Sequence, residues 1–346
     1  MSRDLAITGT GAVSPAGWGV AAMMRALESA ETLPLSLLER ACGDAMVTTP
    51  VLRVPAQGAT APKFARMRRS SPITKFAAAA AMEALGETRF AESTAGRLRV
   101  GVVFTLTNGC VNYSNRFFSE VLSDPALASP ILFPETVFNA PSSHLSALIG
   151  SSAPNDTLVG DASAFLSGID LAAEWIERGD VDGCLVVASE EIDWLSAEGL
   201  RHYSKSYLPS EGAAAIYLEA AGGPAMLEHL PDPVSYQFHG RLEAARLMRA
   251  NLAVADDGAT LLVDGLSGVR RFDAPEAAAW SDWSGPRRSP KRVLGESMGA
   301  AAAFQVVAAA ESLVSGAFRQ AIVSSVGSNQ QAAGLVLRRD PPAQMP

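Results

Sequence analysis

The segment Leu5-Ala-Ile-Thr-Gly-Thr-Gly-Ala-Val-Ser-Pro-Ala-Gly17 sets a short apolar run ahead of a G-x-G turn. A dinucleotide's pyrophosphate is received by such a turn when a third glycine follows and a helix opens at once. Ser14 stands at the third position and Pro15 follows it, so a tight turn after a buried strand is expected, and no nicotinamide or flavin. Around Gly160-Asp-Ala-Ser163-Ala the spacing departs from the G-x-S-x-G elbow of serine hydrolases. The four histidines, His144, His202, His229 and His239, stand in no recognisable triad context. His144 follows Pro141-Ser142-Ser143 near a helix start and reads as a packed, hydrogen-bonded residue. Cys42, Cys110 and Cys184 are scattered and odd in number, which gives neither a disulfide framework nor a zinc cluster. Cys110 lies in a glycine-bearing loop with no basic residue before Arg116, the setting of an unreactive thiol.

The elements that must position these residues alternate. Short apolar runs at 5–8, 100–104, 157–159, 183–188, 214–218, 235–239, 260–263, 320–325 and 335–337 read as strands. Helical stretches at 73–85, 116–122, 142–149, 164–178, 241–252, 275–280 and 298–315 separate them, so an α/β fold is expected. A helix at 164–178 is closed by Gly179 with a strand from 183; a helix at 298–315 is closed by Gly316 with a strand from 320. This echo suggests two similar halves, each with the same central helix. The stretch 281–291 is the most loop-like. With 346 residues, 48% apolar and 18% charged, the chain has ample material for a core, which excludes disorder. A net charge of −8 and the lack of a long basic stripe argue against nucleic acid. No run has the roughly 20 apolar residues of a membrane span, and no leader is recognised, so a cytoplasmic protein is expected.

Several fragments, in order, carry a family resemblance. They are Ile7-Thr-Gly-Thr-Gly-Ala-Val-Ser-Pro-Ala-Gly17, Ile73-Thr-Lys-Phe-Ala-Ala-Ala-Ala-Ala-Met-Glu-Ala-Leu85 and Asn139-Ala-Pro-Ser-Ser-His-Leu-Ser146. Ile176-Glu-Arg-Gly-Asp-Val-Asp-Gly-Cys-Leu-Val-Val-Ala-Ser-Glu-Glu191 and Ser210-Glu-Gly-Ala-Ala-Ala-Ile-Tyr-Leu-Glu219 follow. Phe272-Asp-Ala-Pro-Glu276, Lys291-Arg-Val-Leu-Gly-Glu-Ser-Met-Gly-Ala300 and Gly327-Ser-Asn329 complete the set. The chain thereby resembles β-ketoacyl-acyl-carrier-protein synthases, the thiolase-fold condensing enzymes. The resemblance implies two fused βαβαβαββ halves, here 1–220 and 221–346, stacked as five layers, αβαβα, in a protein that dimerises. It also implies a cysteine at the start of the central helix, two histidines that stabilise an enolate, and a supporting lysine. Counted back from Gly179, the cysteine position falls on Ala162, with Ser163 beside it; the histidine positions fall on Gly265 and Glu296. The lysine survives as Lys291. A stretch between Trp194 and Leu208 is shorter than in the family, near the entrance of the site.

Alanine carries no thioester, glycine polarises nothing, and a glutamate repels a developing enolate. The resemblance therefore implies a degenerate member of the chain-length-factor type, paired with an active ketosynthase or with itself. Phe165 and Leu166 would line the acyl tunnel. Arg66, Arg68 and Arg69 would form either a solvated patch or a docking site for an acyl carrier protein. No cofactor and no metal are expected. The alternative is an acyltransferase or thioester hydrolase with Ser163 as nucleophile, Asp161 or Glu296 as base and Lys291 in support. A third reading is a homodimeric scaffold that binds acyl chains or carrier protein.

Overall fold

The computed structural model describes residues 4–56, 67–220, 222–237, 239–254, 256–328 and 330–340. Five strands of the first half are β1 (Ala6–Ser14), β2 (Val100–Leu106), β3 (Asn155–Val159), β4 (Gly183–Glu190) and β5 (Gly212–Glu219). Five of the second half are β6 (Met226–His229), β7 (Thr260–Val263), β8 (Arg287–Arg288), β9 (Gln320–Val326) and β10 (Gln331–Arg338). Their spatial orders are β1-β5-β4-β2-β3 and β6-β10-β9-β7-β8, the same winding twice. In each half the second strand runs parallel to the third and fourth, and the fifth runs antiparallel to its neighbours. An antiparallel contact between Ala6 of β1 and Met226 of β6 joins the sheets edge to edge.

The helices repeat as well. Following β1, β2 and β3 come α1 (Pro72–Thr94), α2 (Ala140–Ile149) and α3 (Ala164–Arg178). Following β6, β7 and β8 come α4 (Arg241–Leu252), α5 (Arg270–Ala279) and α6 (Ala301–Val314). Helices α3 and α6 lie between the sheets, with α1 and α2 outside one and α4 and α5 outside the other. This is the thiolase-like αβαβα sandwich of two βαβαβαββ halves. Strands β2 and β4 are buried along their whole length because helices cover both faces. Helix α6 is buried on nearly all sides, and its buried polar side chains Gln305 and Ser312 donate to the Ser324 carbonyl at 2.7 Å and the Ala308 carbonyl at 2.6 Å. Gly179 and Gly316 close the central helices with φ of 77° and 79°. Gly9 and Gly11 of the G-x-G are explained by packing: a Cβ on either would sit 1.9 Å from the carbonyl oxygen of Ala84 or Ala80 on α1.

Several expectations need correction. The strand expected at 235–239 is only Val234–Ser235, and the opening strand of the second half is β6. The loop-like 281–291 contains β8, which is a strand by virtue of its parallel pairing with β7 and not of its arginines. Helix α5 begins at Arg270 and carries Pro275 inside it. Three helices, Val20–Ser29, Trp194–Tyr203 and Pro290–Leu294, were not expected, nor was the hairpin Ser36–Cys42 with Ala45–Val51. Among the described residues no helix is long and apolar enough to cross a membrane.

Candidate functional site

A cavity of about 530 Å³ opens at the N-terminus of α3. Its floor joins the turn before α3 to the segment before α6, as equivalent positions in two repeats should. Ala162 faces the cavity, and so does Asp161. Ser163 does not: it is 1% exposed, and its hydroxyl donates to Asp161 Oδ1 at 2.6 Å. The same oxygen accepts from the Ser163 backbone N–H at 3.1 Å, so a carboxylate already occupies the helix terminus. Gly327 makes room for it, since a Cβ there would lie 1.8 Å from Asp161 Oδ2.

Lys291 and Glu296 enter from the second half. The Lys291 ammonium donates to Glu296 Oε2 at 2.9 Å, with side-chain exposures of 11% and 6%. Glu296 Oε1 accepts from the Met298 N–H at 3.0 Å, which closes a turn in which Met298 has φ of 48°. Gly299 lets this turn press on β2; a Cβ there would be 2.9 Å from the Thr107 nitrogen. Gly265 lies in the loop after β7, where its N–H donates to Glu276 Oε1 at 3.1 Å. It borders a small hollow that shares Tyr207, Lys291, Glu296 and Ser328 with the main cavity. Burial, with Asp264 nearby, raises the Glu276 carboxyl. The positions 162, 265, 291 and 296, selected from the sequence, thus converge.

Other expectations separate from the cavity. Phe165 and Leu166 are fully buried in the core between the sheets and do not line it, because α3 turns both side chains into the packing against neighbouring elements. Arg68 and Arg69 are exposed, with the Arg69 carbonyl held by the Tyr113 hydroxyl at 2.6 Å. Arg66 lies outside the described residues, as does Asn329. The Cys110 thiol is buried and pushed up by desolvation, with Glu191, Glu135 and Glu190 adding to it. His144 Nε2 donates to Glu135 Oε1 at 2.7 Å.

The sequence reading missed the roof and the back wall. The helix Trp194–Tyr203 opens the stretch between Trp194 and Leu208; Asp193 caps it, accepting from the Ser196 N–H at 2.9 Å. Leu195, Gly199, Leu200 and Tyr203 of that helix line the cavity. Tyr207 stacks on Phe272 with centroids 4.7 Å apart. Behind the cavity, Glu190 accepts from the Thr107 and Asn108 N–H groups, and burial pushes its carboxyl up to about 8. Glu191 accepts from Ile73 N–H at 3.0 Å and Asn112 N–H at 2.8 Å, anchoring the starts of α1 and of the helix Val111–Ser123. Adjacent glutamates directly after the apolar run 184–188 and Ser189 were the available signal.

The fold is that of the thiolase-like proteins. The family described as the β-ketoacyl synthase N-terminal domain matches residues 2–223, and the chain belongs to that family. No curated protein matches the sequence. Among solved structures, a chain of the ishigamide ketosynthase/chain length factor superposes with a TM-score of 0.82 at 19% identity, covering 98% of this chain and 100% of that one. A chain from the ketosynthase ApeO in complex with its chain length factor ApeC, from Xenorhabdus doucetiae, gives 0.79 at 16% identity, covering 98% of each. A β-ketoacyl synthase from Burkholderia phymatum gives 0.77 at 17%, covering 98% and 100%.

Proposed function

We propose that this protein is a non-catalytic ketosynthase-like subunit of the chain-length-factor type, which pairs with an active ketosynthase and shapes its acyl tunnel. The observation that carries this reading is the cavity floor. Among the described residues no cysteine or histidine lines the cavity, and its ammonium is neutralised by Glu296. A helix N-terminus that would stabilise a thiolate carries a methyl group at Ala162 and a carboxylate at Asp161. The burial of Ser163 weighs against the serine-nucleophile alternative.

Pairing has a suitable face. Strand β3 is the outer edge of its sheet, and an edge strand presents unpaired backbone groups to a second chain. Around it Leu122, Leu127, Ile131, Phe133, Phe138 and Val159 are 48–79% exposed, an apolar surface suited to burial in an assembly. The ApeO–ApeC structure is a complex of ketosynthase and chain length factor, and the same kind of partner is proposed here. Residues Arg68 and Arg69 remain candidates for carrier-protein docking.

The test is co-expression with a ketosynthase that keeps the cysteine and both histidines, native mass spectrometry of the product, and chromatography of the acyl chains made. A heterodimer whose chain lengths change on removal of this subunit is expected. Turnover of acyl thioesters by this chain alone, lost in Ser163→Ala, would overturn the reading in favour of the enzyme.

A further inference from the structure

The apolar face around β3 is strongly biased in charge. Between residues 107 and 160 there is one cation, Arg116, against Glu120, Asp124, Glu135 and Asp156. Arg116 is spent on Glu120 at 3.2 Å, and Glu135 is hydrogen-bonded to His144. Among the described residues Asp124 and Asp156 have no ion-pair partner; each accepts only from nearby backbone N–H groups. A hollow lined by Phe138, Asn155, Asp156, Thr157 and Val159 sets Asp156 among the apolar side chains of this face, and the helix Val111–Ser123, the turn Phe133–Glu135, α2 and β3 pack in succession beside it.

A two-fold dimer brings the same patch of each subunit together. If two β3 strands paired antiparallel about Thr157, the copies of Asp156 would stand roughly 8 Å apart, from a 3.3 Å rise and a 4.8 Å strand spacing. That is within about one Debye length at physiological salt, so the repulsion is felt. We infer that this face is built to reject a second copy of the chain and to select a ketosynthase whose matching edge face is basic. The inference rests on the pairing proposed above and adds the sign of charge the partner must carry. Apolar burial supplies affinity at such a surface, and the charge bias supplies choice of partner and speed of encounter.

Analytical ultracentrifugation of the chain alone tests the first half, and association kinetics with the ketosynthase test the second. The chain alone is expected to remain monomeric at about 50 mM salt, and the double variant Asp124→Asn/Asp156→Asn to self-associate about tenfold more tightly. Asp156→Lys is expected to slow association with the ketosynthase about tenfold at low salt, a difference that shrinks near 0.5 M salt. A stable homodimer of the unmodified chain at low salt, or no gain in self-association on neutralisation, overturns the inference whatever the partner does. Ketosynthase binding that ignores both salt and Asp156→Lys overturns the inference while leaving the proposed pairing intact. Absence of ketosynthase binding at every salt concentration overturns the pairing, and with it the selection of that partner.

Discussion

Replacing Lys291 by methionine isolates the energetics of the vacated site. The ammonium lies 2.9 Å from Glu296 Oε2, and the two side chains are 11% and 6% exposed. At that separation an effective dielectric near 20 gives an attraction of about 6 kcal/mol, from which desolvation subtracts a large part. Removing the lysine leaves a buried carboxylate with the Met298 N–H as its remaining donor, and such a loss costs about 3–5 kcal/mol. With an unfolding entropy near 2.1 cal/mol/K per residue, this corresponds to a Tm about 5 °C lower. Glu296→Gln should cost less, about 2 kcal/mol, since a glutamine carbonyl still accepts from Met298. The double variant Lys291→Met/Glu296→Gln buries no charge and should lie within about 1–2 kcal/mol of the parent. Urea unfolding of all four proteins closes the cycle, with an expected coupling of about 3–6 kcal/mol. Single-variant losses that add to within about 0.5 kcal/mol would refute the claim that the pair is a structural unit.

Stability should also depend on pH through Glu190, whose carboxyl rises from 4.5 to about 8 on burial. The native state keeps this proton where the unfolded chain has lost it, so stability falls as pH rises through that window. Between pH 5.5 and 8.5 urea unfolding should report a loss of about 3 kcal/mol from this group, and Glu190→Gln should remove it. In a Cys42→Ser background, which leaves buried Cys110 and Cys184, Ala162→Cys should react with a small alkylating reagent and Ser163→Cys should not. Intact mass reads the difference, and equal labelling would contradict the placement of the cavity wall. Gly9→Ala and Gly11→Ala each force a Cβ to 1.9 Å from a helix carbonyl and should cost more than about 4 kcal/mol or abolish soluble expression. Gly199→Ala meets nothing within 4 Å in its helix and should stabilise by about 0.5–1 kcal/mol in a thermal melt.

Elements whose burial is written along their own length are legible in the sequence. Helices α3 and α4 have the expected bounds, as does β7, because each carries its apolar face within a single continuous segment. Strands β6 and β8 were hidden, since they are strands only through partners distant in sequence: β6 pairs with β10 and β1, and β8 with β7. The helix Trp194–Tyr203 was hidden for a related reason. Its first half is weakly apolar, and its position is fixed by Asp193 and by Arg40 stacked 3.7 Å over Trp194. Ala162, Gly265, Lys291 and Glu296 could be located because the repeat and the family fragments give their positions in the chain. Phe165 and Leu166 are buried in the packing and absent from the cavity lining, because proximity in sequence to a helix start does not say which side of the helix meets a void.

The edge contact between β1 and β6 has a consequence for the nascent chain. Strand β1 leaves the ribosome before the other strands described, yet its sheet partner β5 begins only at Gly212 and its edge partner β6 only at Met226. At about 5–20 residues per second, an apolar nine-residue strand waits roughly 10–40 s for either. Helix α1 is complete by residue 94, and the close approach that Gly9 and Gly11 permit against its alanines gives β1 cover long before the sheet exists. The same two glycines that set the packing distance in the finished molecule thus give β1 an early companion during synthesis.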